Sequence, residues 1–456
     1  MERFDVFVIG GGGTGSEVAF SLARSSGRSV ALAERDKLGG ECNHYGCIPT
    51  KVMLRSAKLA TLARDGERFG LRIPEVDVDF GAIRQRIRDV IDAQSGEGAT
   101  PFERLGVRVF LQEARLVGDR SVELADGTLF DADHVVLATG TEATIPPIDG
   151  LAAGPRWTNR EAIWSPERPP ASLAVIGTGA VGLEFAQIYA RFGTRVTALE
   201  ALPHVLPQED EDAAASVVPA LEADGIELRP GADIRGARHA AGGWTLTLGD
   251  GEELRAEEVL VAAGRRPMFQ PHDLVAASVE LDADDAPILT DTLRTTNPAV
   301  WVAGDATGDL LFTHVGRYEA ELVVRDILGD PEPRDYRVVP RVTFTDPEVA
   351  SVGLTEREAR DDGRDVVGSI ARFDGNERSH IEGSTDGLVK LVADRRTGEL
   401  LGGHIVGEEA GSLIHQVVQL MASRTAAPAV ARAIHAYPTF SESMKAALLG
   451  VRQQVG

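Results

Sequence analysis

The chain is poor in cysteine, with two in 456 residues, too few for the disulfide framework by which small secreted domains compensate for a thin core. Aromatic side chains are scarce at 5%. Positive charge is also short, with 47 Lys and Arg against 70 Asp and Glu, a net charge of -23 and a pI near 4.9. Such a balance argues against a nucleic-acid partner, whose binding depends on basic side chains that displace counterions from phosphate. No apolar run approaches the roughly 18 residues that cross a bilayer, so no membrane span is expected. What remains, 43% hydrophobic and 26% charged, suits a folded protein of two to four domains. The chain opens with Glu2, Arg3 and Asp5 around FDVFVIG. The glycines that follow suit a phosphate-binding turn rather than a signal cleavage site, and a cytoplasmic location is expected.

FDVFVIG reads as a buried strand, followed by Gly10, Gly12 and Gly15 in GxGxxG spacing, a helical stretch, and VALAE ending in Glu34. Glycines there allow a tight turn, close approach of backbone to a pyrophosphate and close helix packing, while the helix N-terminus favours the phosphates. Glu34 is placed to accept hydrogen bonds from a ribose diol. One such motif is weak evidence, but it recurs: SLAVIG leads into Gly177, Gly179 and Gly182, and RVTALE ends in Glu200. Each unit continues with a hairpin signal, Asp126-Gly127 or Asp250-Gly251, and an apolar strand ending in glycine, VVLATG at Gly140 or VLVAAG at Gly264.

The first unit is the longer, Gly10 to Gly140 against Gly177 to Gly264, and the excess of about 43 residues is an insertion that holds CNHYGC. After it come two helical stretches with apolar faces, IPTKVMLRSAKLATLARDGERFG and GAIRQRIRDVIDAQSGEGATPFERLG. Cys42 and Cys47 could form a staple, but so short a loop restricts the unfolded chain little and cytoplasmic conditions reduce such bonds. A redox pair is the favoured reading. Both cysteines are expected at the start of a helix, where the dipole favours thiolate over thiol. From about Tyr336 the pattern changes to an antiparallel α+β domain with two or three closing helices and no nucleotide fingerprint, which suits assembly.

Together these motifs resemble the pyridine nucleotide-disulfide oxidoreductases, the family that includes dihydrolipoamide dehydrogenase, glutathione reductase and mercuric reductase. The likeness runs nearly end to end, through GGECNHYGCIPTK at 39–51, VVLATG, the second glycine motif, VWVAGDATG at 300–308 and YPTFSE at 437–442. It implies an α/β fold with two Rossmann-like dinucleotide-binding domains and a C-terminal α+β dimerisation domain. The expected boundaries are 1–150 for the FAD domain with the disulfide insertion, 151–270 for the nicotinamide nucleotide domain, 271–335 for a return segment completing the FAD domain, and 336–456 for dimerisation. FAD is expected on Gly10, Gly12, Gly15, Glu34, Lys51, Thr139, Gly140 and Asp305, the last matching the aspartate that binds the ribityl and phosphate portion. The nucleotide is expected on Gly177, Gly179, Gly182, Glu200 and Gly264, with NADH preferred over NADPH because Glu200 would repel a 2′-phosphate.

The resemblance further implies that Cys47 faces the flavin as the charge-transfer thiolate and that Cys42 is the interchange thiol. Lys51 would sit beside the flavin N5, paired with Glu184, where a fixed positive charge stabilises reduced flavin. No resident metal is expected. At the C-terminus the sequence departs from the family. Dihydrolipoamide dehydrogenase and glutathione reductase carry His-Pro-Thr with a histidine-glutamate dyad from the partner subunit; this chain has Tyr437-Pro438-Thr439 and keeps Glu442. A phenol, with a pKa of about 10, is a poor base at neutral pH. His435 and His44 are alternative proton carriers, or else a hydrogen-bonded interface histidine and a helix-start residue bonded to backbone.

The implied enzyme is a homodimer that moves electrons from NADH through FAD and Cys42-Cys47 to a small disulfide, reversibly, with a lipoyl-bearing protein as a possible partner. Reduction of a metal ion or quinone is the rival, since neither needs an acid for a thiolate leaving group. Mercuric reductases usually add a C-terminal cysteine pair, which this chain lacks, although two thiolates alone can hold a soft metal. A non-catalytic redox sensor or scaffold flavoprotein is the reading of a different class.

Overall fold

The computed structural model describes residues Met1–Val455. The fold is α/β, with a mixed, mainly parallel sheet, a second sheet that is parallel, and an antiparallel C-terminal sheet under helices. The chain divides into two compact units. One gathers Met1–Thr50, Arg84–Thr144 and Gly264–Asp335; the other gathers Lys51–Ile83, Ile145–Ala263 and the chain from Tyr336 on.

In the first unit the strand Glu2–Ile9 lies between Val30–Ala33 and Leu129–Leu137, parallel to both. Arg108–Phe110 extends the sheet on one side, and Val300–Val302 pairs in parallel with Leu129–Leu137. FDVFVIG is almost wholly apolar because both faces of its strand are covered. Val6 and Val8 pack with Leu22, Trp301 and Val323, whereas Phe7 and Ile9 pack with Phe130, Leu137 and Val302. Side chains buried in this way contribute about 1.5–3 kcal/mol each. Leu129–Leu137 begins antiparallel to Ser121–Leu124, after the Asp126-Gly127 turn in which Gly127 takes φ +84°.

In the second unit Arg195–Glu200, Ser172–Ile176 and Glu258–Val261 form a parallel sheet with Glu227–Pro230 at its edge. A three-stranded antiparallel sheet, Ile234–Ala240, Gly243–Leu248 and Glu253–Ala256, follows, its second hairpin turning at Gly251. Five antiparallel strands from Pro340–Thr343 to Leu400–Gly407 make the last sheet. Three helices close the chain, Ala410–Ala422, Ala427–Val430 and Ser441–Gln454, and Leu413, Val417, Met444 and Leu448 share a core with Val352, Leu391 and Ile405.

Lys51–Ile83 packs in this second unit rather than with the rest of the insertion. Buried Phe80 meets Tyr189 and Phe192 with ring centroids 6.4 and 6.1 Å apart, and the Arg64 guanidinium donates to the Arg191 carbonyl at 2.7 Å. A row of polar side chains crosses the last sheet, with Ser351 opposite His404 and His404 opposite Lys390. Lys390 Nζ lies 2.9 Å from Asp210 and 2.7 Å from Asp212, at the start of helix Glu211–Ala223, while Ser351 donates to Glu209. Charges buried here persist because each has a partner. Among the described residues, no helix is long and apolar enough to cross a membrane.

Candidate active site

In the first unit the chain leaves strand Glu2–Ile9 at Gly10, which takes φ +107°. A β-carbon there would lie 2.2 Å from the Ala138 carbonyl oxygen, and one on Gly15 would lie 1.9 Å from the Gly10 oxygen. Both positions therefore require glycine. Gly12 caps helix Gly13–Ser25 without a side-chain hydrogen bond, so the first turn keeps amides for an anionic ligand. Glu34, buried at the end of the next strand, accepts from the Gly11 amide at 2.7 Å and the Asp36 amide at 2.7 Å. Each carboxylate oxygen has a second lone pair for a ribose hydroxyl.

Nearby, the Thr139 hydroxyl is buried with no protein partner, which marks a polar surface made for something else. Thr141 donates to Asp305 at 3.3 Å, and Arg265 reaches the Thr141 hydroxyl at 2.8 Å and its carbonyl at 2.9 Å. Burial holds the Asp305 carboxyl above its ordinary range, against the pull of Arg265 and Thr141, and Glu41 adds to the rise. Arg265 and Glu41 lie 3.5 Å apart. The glycine cradle, the orphaned hydroxyl and the carboxylate fit a flavin dinucleotide. Bound there, FAD would supply two-electron redox chemistry between a nicotinamide and a disulfide.

The cysteine segment is seated on this cradle. Gly39 N donates to Gly11 O at 2.8 Å, and Gly39 and Gly40 take φ +95° and +61°. The two cysteines do not share a helix start as the sequence led us to expect. Cys42 is half-buried within the short helix Gly40–His44, and exposed Cys47 is the first residue of the long helix Cys47–Arg64. The break at Tyr45-Gly46 separates them because the Tyr45 amide returns to Glu41 O while the Thr50 amide begins anew on Gly46 O. Only Cys47 therefore sits at the long helix's positive end. Its Sγ is 3.6 Å from the Thr313 hydroxyl. The His44 ring nitrogen is bonded to the Leu38 carbonyl at 2.9 Å, which is the backbone-anchored reading of that residue.

The second unit repeats the glycine turn. Gly177 takes φ +100°, and a β-carbon on Gly182 would lie 1.9 Å from the Gly177 oxygen, whereas one on Gly179 would meet nothing within 4 Å. Gly179 is thus left open for close approach of a phosphate. Glu200 repeats the behaviour of Glu34. It accepts from the Thr178 amide at 2.9 Å, from the Thr178 hydroxyl at 3.0 Å and from the Leu202 amide at 3.0 Å. These residues fit a nicotinamide dinucleotide. Gly264 belongs to the other unit, where its carbonyl accepts from the Thr144 amide.

Also in the second unit, Lys51 Nζ lies 3.0 and 2.8 Å from the two oxygens of Glu184, whose side chain is 5% exposed. Glu184 is thus a buried carboxylate with a paired cation and not a surface charge. Phe344, which the sequence reading did not single out, joins them through its amide and its ring. In the C-terminal segment Tyr437 is 69% exposed. His435 Nδ1 is 2.6 Å from the Ser441 hydroxyl, and Glu442 exchanges bonds with its own turn, accepting from the Thr439 amide at 3.4 Å and donating its amide to Thr439 O at 3.2 Å. Among the described residues, no group of three or more His, Cys, Asp or Glu side chains is arranged to hold a metal ion.

Comparison with known proteins agrees with this geometry. The family model "Pyridine nucleotide-disulphide oxidoreductase" matches residues 4–320, and the model of that family's dimerisation domain matches 339–448. A dihydrolipoyl dehydrogenase of Chlorobaculum tepidum is 34% identical over all of this chain and 98% of its own length. A mercuric reductase of Bacillus cereus is 30% identical over 98% of this chain and 71% of its own. Among solved structures, LpdA from Mycobacterium tuberculosis superposes with a TM-score of 0.87 at 26% identity, covering 98% of this chain and 99% of its own. The HOCl-induced flavoprotein disulfide reductase RclA from Escherichia coli, as a Cu(II) complex, gives 0.87 at 25% identity, over 96% of this chain and 98% of its own. With glycine cradles for two dinucleotides and a cysteine pair beside the first, the chain belongs to the pyridine nucleotide-disulphide oxidoreductases, enzymes that work with FAD and a pyridine nucleotide.

Proposed function

We propose that this enzyme is a homodimer in which NADH is the electron donor, Cys42 and Cys47 are the redox pair, and a small disulfide of the lipoamide type is the acceptor, with the reaction running either way. The observation that carries the reading is the seating of the cysteine segment on the first glycine turn, through the Gly39–Gly11 hydrogen bond. Cys47, at the N-terminus of an 18-residue helix, is the thiolate-favoured sulfur that faces the flavin. Cys42, in the preceding short helix, exchanges with the substrate. Lys51, fixed by Glu184, holds a positive charge beside the flavin. The dihydrolipoyl dehydrogenases among the relatives support this acceptor, and a lipoyl-bearing protein is then the partner.

NADH is preferred because the Glu200 carboxylate, held by three donors, would sit against a 2′-phosphate. The deciding experiment is anaerobic turnover with lipoamide and NADH, and in reverse with dihydrolipoamide and NAD. Rapid turnover in both directions supports the assignment; no turnover in either refutes it.

One observation favours a second reading, reduction of a metal ion or quinone. Tyr437 stands where the family's disulfide-exchanging members carry histidine, and it is largely exposed. Such acceptors need no acid to protonate a departing thiolate. A mercuric reductase among the relatives and a Cu(II) complex among the similar structures support keeping that reading.

A further inference from the structure

The segment that follows strand Pro340–Thr343 supplies a third member of the Lys51–Glu184 pair. The Phe344 amide donates to Glu184 Oε1 at 3.0 Å, the same oxygen that lies 3.0 Å from Lys51 Nζ. The face of the Phe344 ring lies over the ammonium, with Nζ 4.4 Å from the centroid. Glu184 is therefore held from two sides, and Lys51 is held by a carboxylate on one side and an aromatic face on another. A ring at this distance attracts a cation through its quadrupole, and it restricts a side chain that otherwise samples many rotamers. Phe344 is itself 38% exposed, which is unusual for a residue whose only task is to fill a core. Its exposed ring is used on the ammonium instead.

We propose that Phe344 is a positioning residue for Lys51: its amide orients the Glu184 carboxylate and its ring confines the lysine charge to the place where that charge acts on the flavin. The proposal rests on the reading of Lys51 given above and adds a determinant from the C-terminal region, remote in sequence from both members of the pair. It also explains why the ammonium keeps a defined position although the Lys51 side chain is 35% exposed, a level at which an ion pair alone holds a lysine weakly. The ring, unlike a second carboxylate, adds confinement without adding negative charge beside a group that is to carry electrons.

The test uses the FAD-loaded enzyme with Phe344→Leu, which removes the ring and keeps the amide, and Phe344→Tyr, which keeps both. Four quantities are read: the flavin midpoint potential, the charge-transfer absorbance of the two-electron-reduced enzyme, the rate of flavin reduction by NADH, and KM for NADH. Phe344→Leu should make the potential more negative, weaken the charge-transfer absorbance, and slow reduction by about two- to five-fold, with KM for NADH unchanged. Phe344→Tyr should behave as wild type. In a Lys51→Met background, Phe344→Leu should have no additional effect on the potential.

If Lys51→Met shifts the potential and Phe344→Leu does not, the role given to Phe344 is overturned while that of Lys51 stands. If neither shifts it, both fall together. An equal loss from Phe344→Leu with and without Lys51 would mean that the ring acts on the fold and not on the lysine, and would also overturn the proposal.

Discussion

The Gly12 α-carbon lies 2.7 Å from the place a β-carbon on Gly40 would occupy. The segment that carries the cysteines is thus in backbone contact with the first glycine turn, and the contact depends on a hydrogen atom standing where any other residue has carbon. Gly40 also takes φ +61°. Gly40→Ala should therefore displace helix Gly40–His44 from the turn, at a cost of about 1–3 kcal/mol. Purified variant protein should retain less flavin than wild type, as read from its visible-to-ultraviolet absorbance ratio, and Cys42 should react faster with a thiol reagent. Full flavin content with unchanged thiol reactivity would show that the contact is dispensable.

Replacing Tyr437 by histidine should restore an acid able to protonate a departing thiolate. General acid catalysis is worth about 10²–10⁴-fold. Tyr437→His should raise kcat for lipoamide by about tenfold or more if the wild-type site is limited by that proton, and should leave the rate of flavin reduction by NADH unchanged. Steady-state and rapid-reaction kinetics on the same preparation separate the two. A wild type that is already fast, with no gain from histidine, would mean that another group supplies the proton; His435, anchored on Ser441, would then be replaced next.

Glu200→Gln removes the negative charge that, in the proposed function, opposes a 2′-phosphate, while keeping the shape of the side chain. The ratio of kcat/KM for NADH over NADPH should fall by about tenfold. The amide can accept at only one of the two oxygen positions that Thr178 and Leu202 now use, so KM for NADH should rise as well. An unchanged ratio would place the discrimination elsewhere in the pocket.

Asp346 is paired with Lys58 at 3.2 Å and with Arg191 at 2.9 Å. Burial alone would raise its carboxyl, but Lys58 and Arg191 outweigh that and hold it below the ordinary range. A carboxyl with a depressed folded value contributes stability that is fully present above its unfolded pKa of about 3.9 and is lost as pH falls through the lower folded value. Asp346→Asn should cost about 2 kcal/mol at neutral pH, and the difference in melting temperature between variant and wild type should shrink as pH falls below 4. A constant difference across that range would refute the electrostatic origin.

Much of this was legible in the residues themselves, for reasons that are local. The two GxGxxG turns, their terminal acids, and the Asp126-Gly127 and Asp250-Gly251 hairpins are read from short-range constraints on φ and on backbone approach, and these operate within a few positions. The break between Cys42 and Cys47 is signalled only by Gly46 and by Pro49, a residue suited to a helix's first turn, whereas the docking of Gly39 and Gly40 on a turn about 28 residues earlier in the chain leaves no local trace. Phe344 was equally hidden. TFTDPEV reads as a strand end, and nothing in it signals that one aromatic ring will cover a lysine from a helix nearly 300 positions away. The packing of Lys51–Ile83 is hidden for the same reason, since Phe80 finds its aromatic partners, Tyr189 and Phe192, only after the chain has folded back.

The doubled duty of the terminal acids has a consequence for how such an enzyme can change its choice of coenzyme. Glu200, which the proposed function sets against the ribose, is also the clasp that ties the turn at Thr178 to the chain at Leu202. A lineage that discards the acid to admit a phosphorylated ribose also loosens the turn on which any dinucleotide must rest, so the shortest mutational path crosses a valley of poor binding to both coenzymes. A path that keeps Glu200 until another group ties Thr178 to Leu202 avoids that loss.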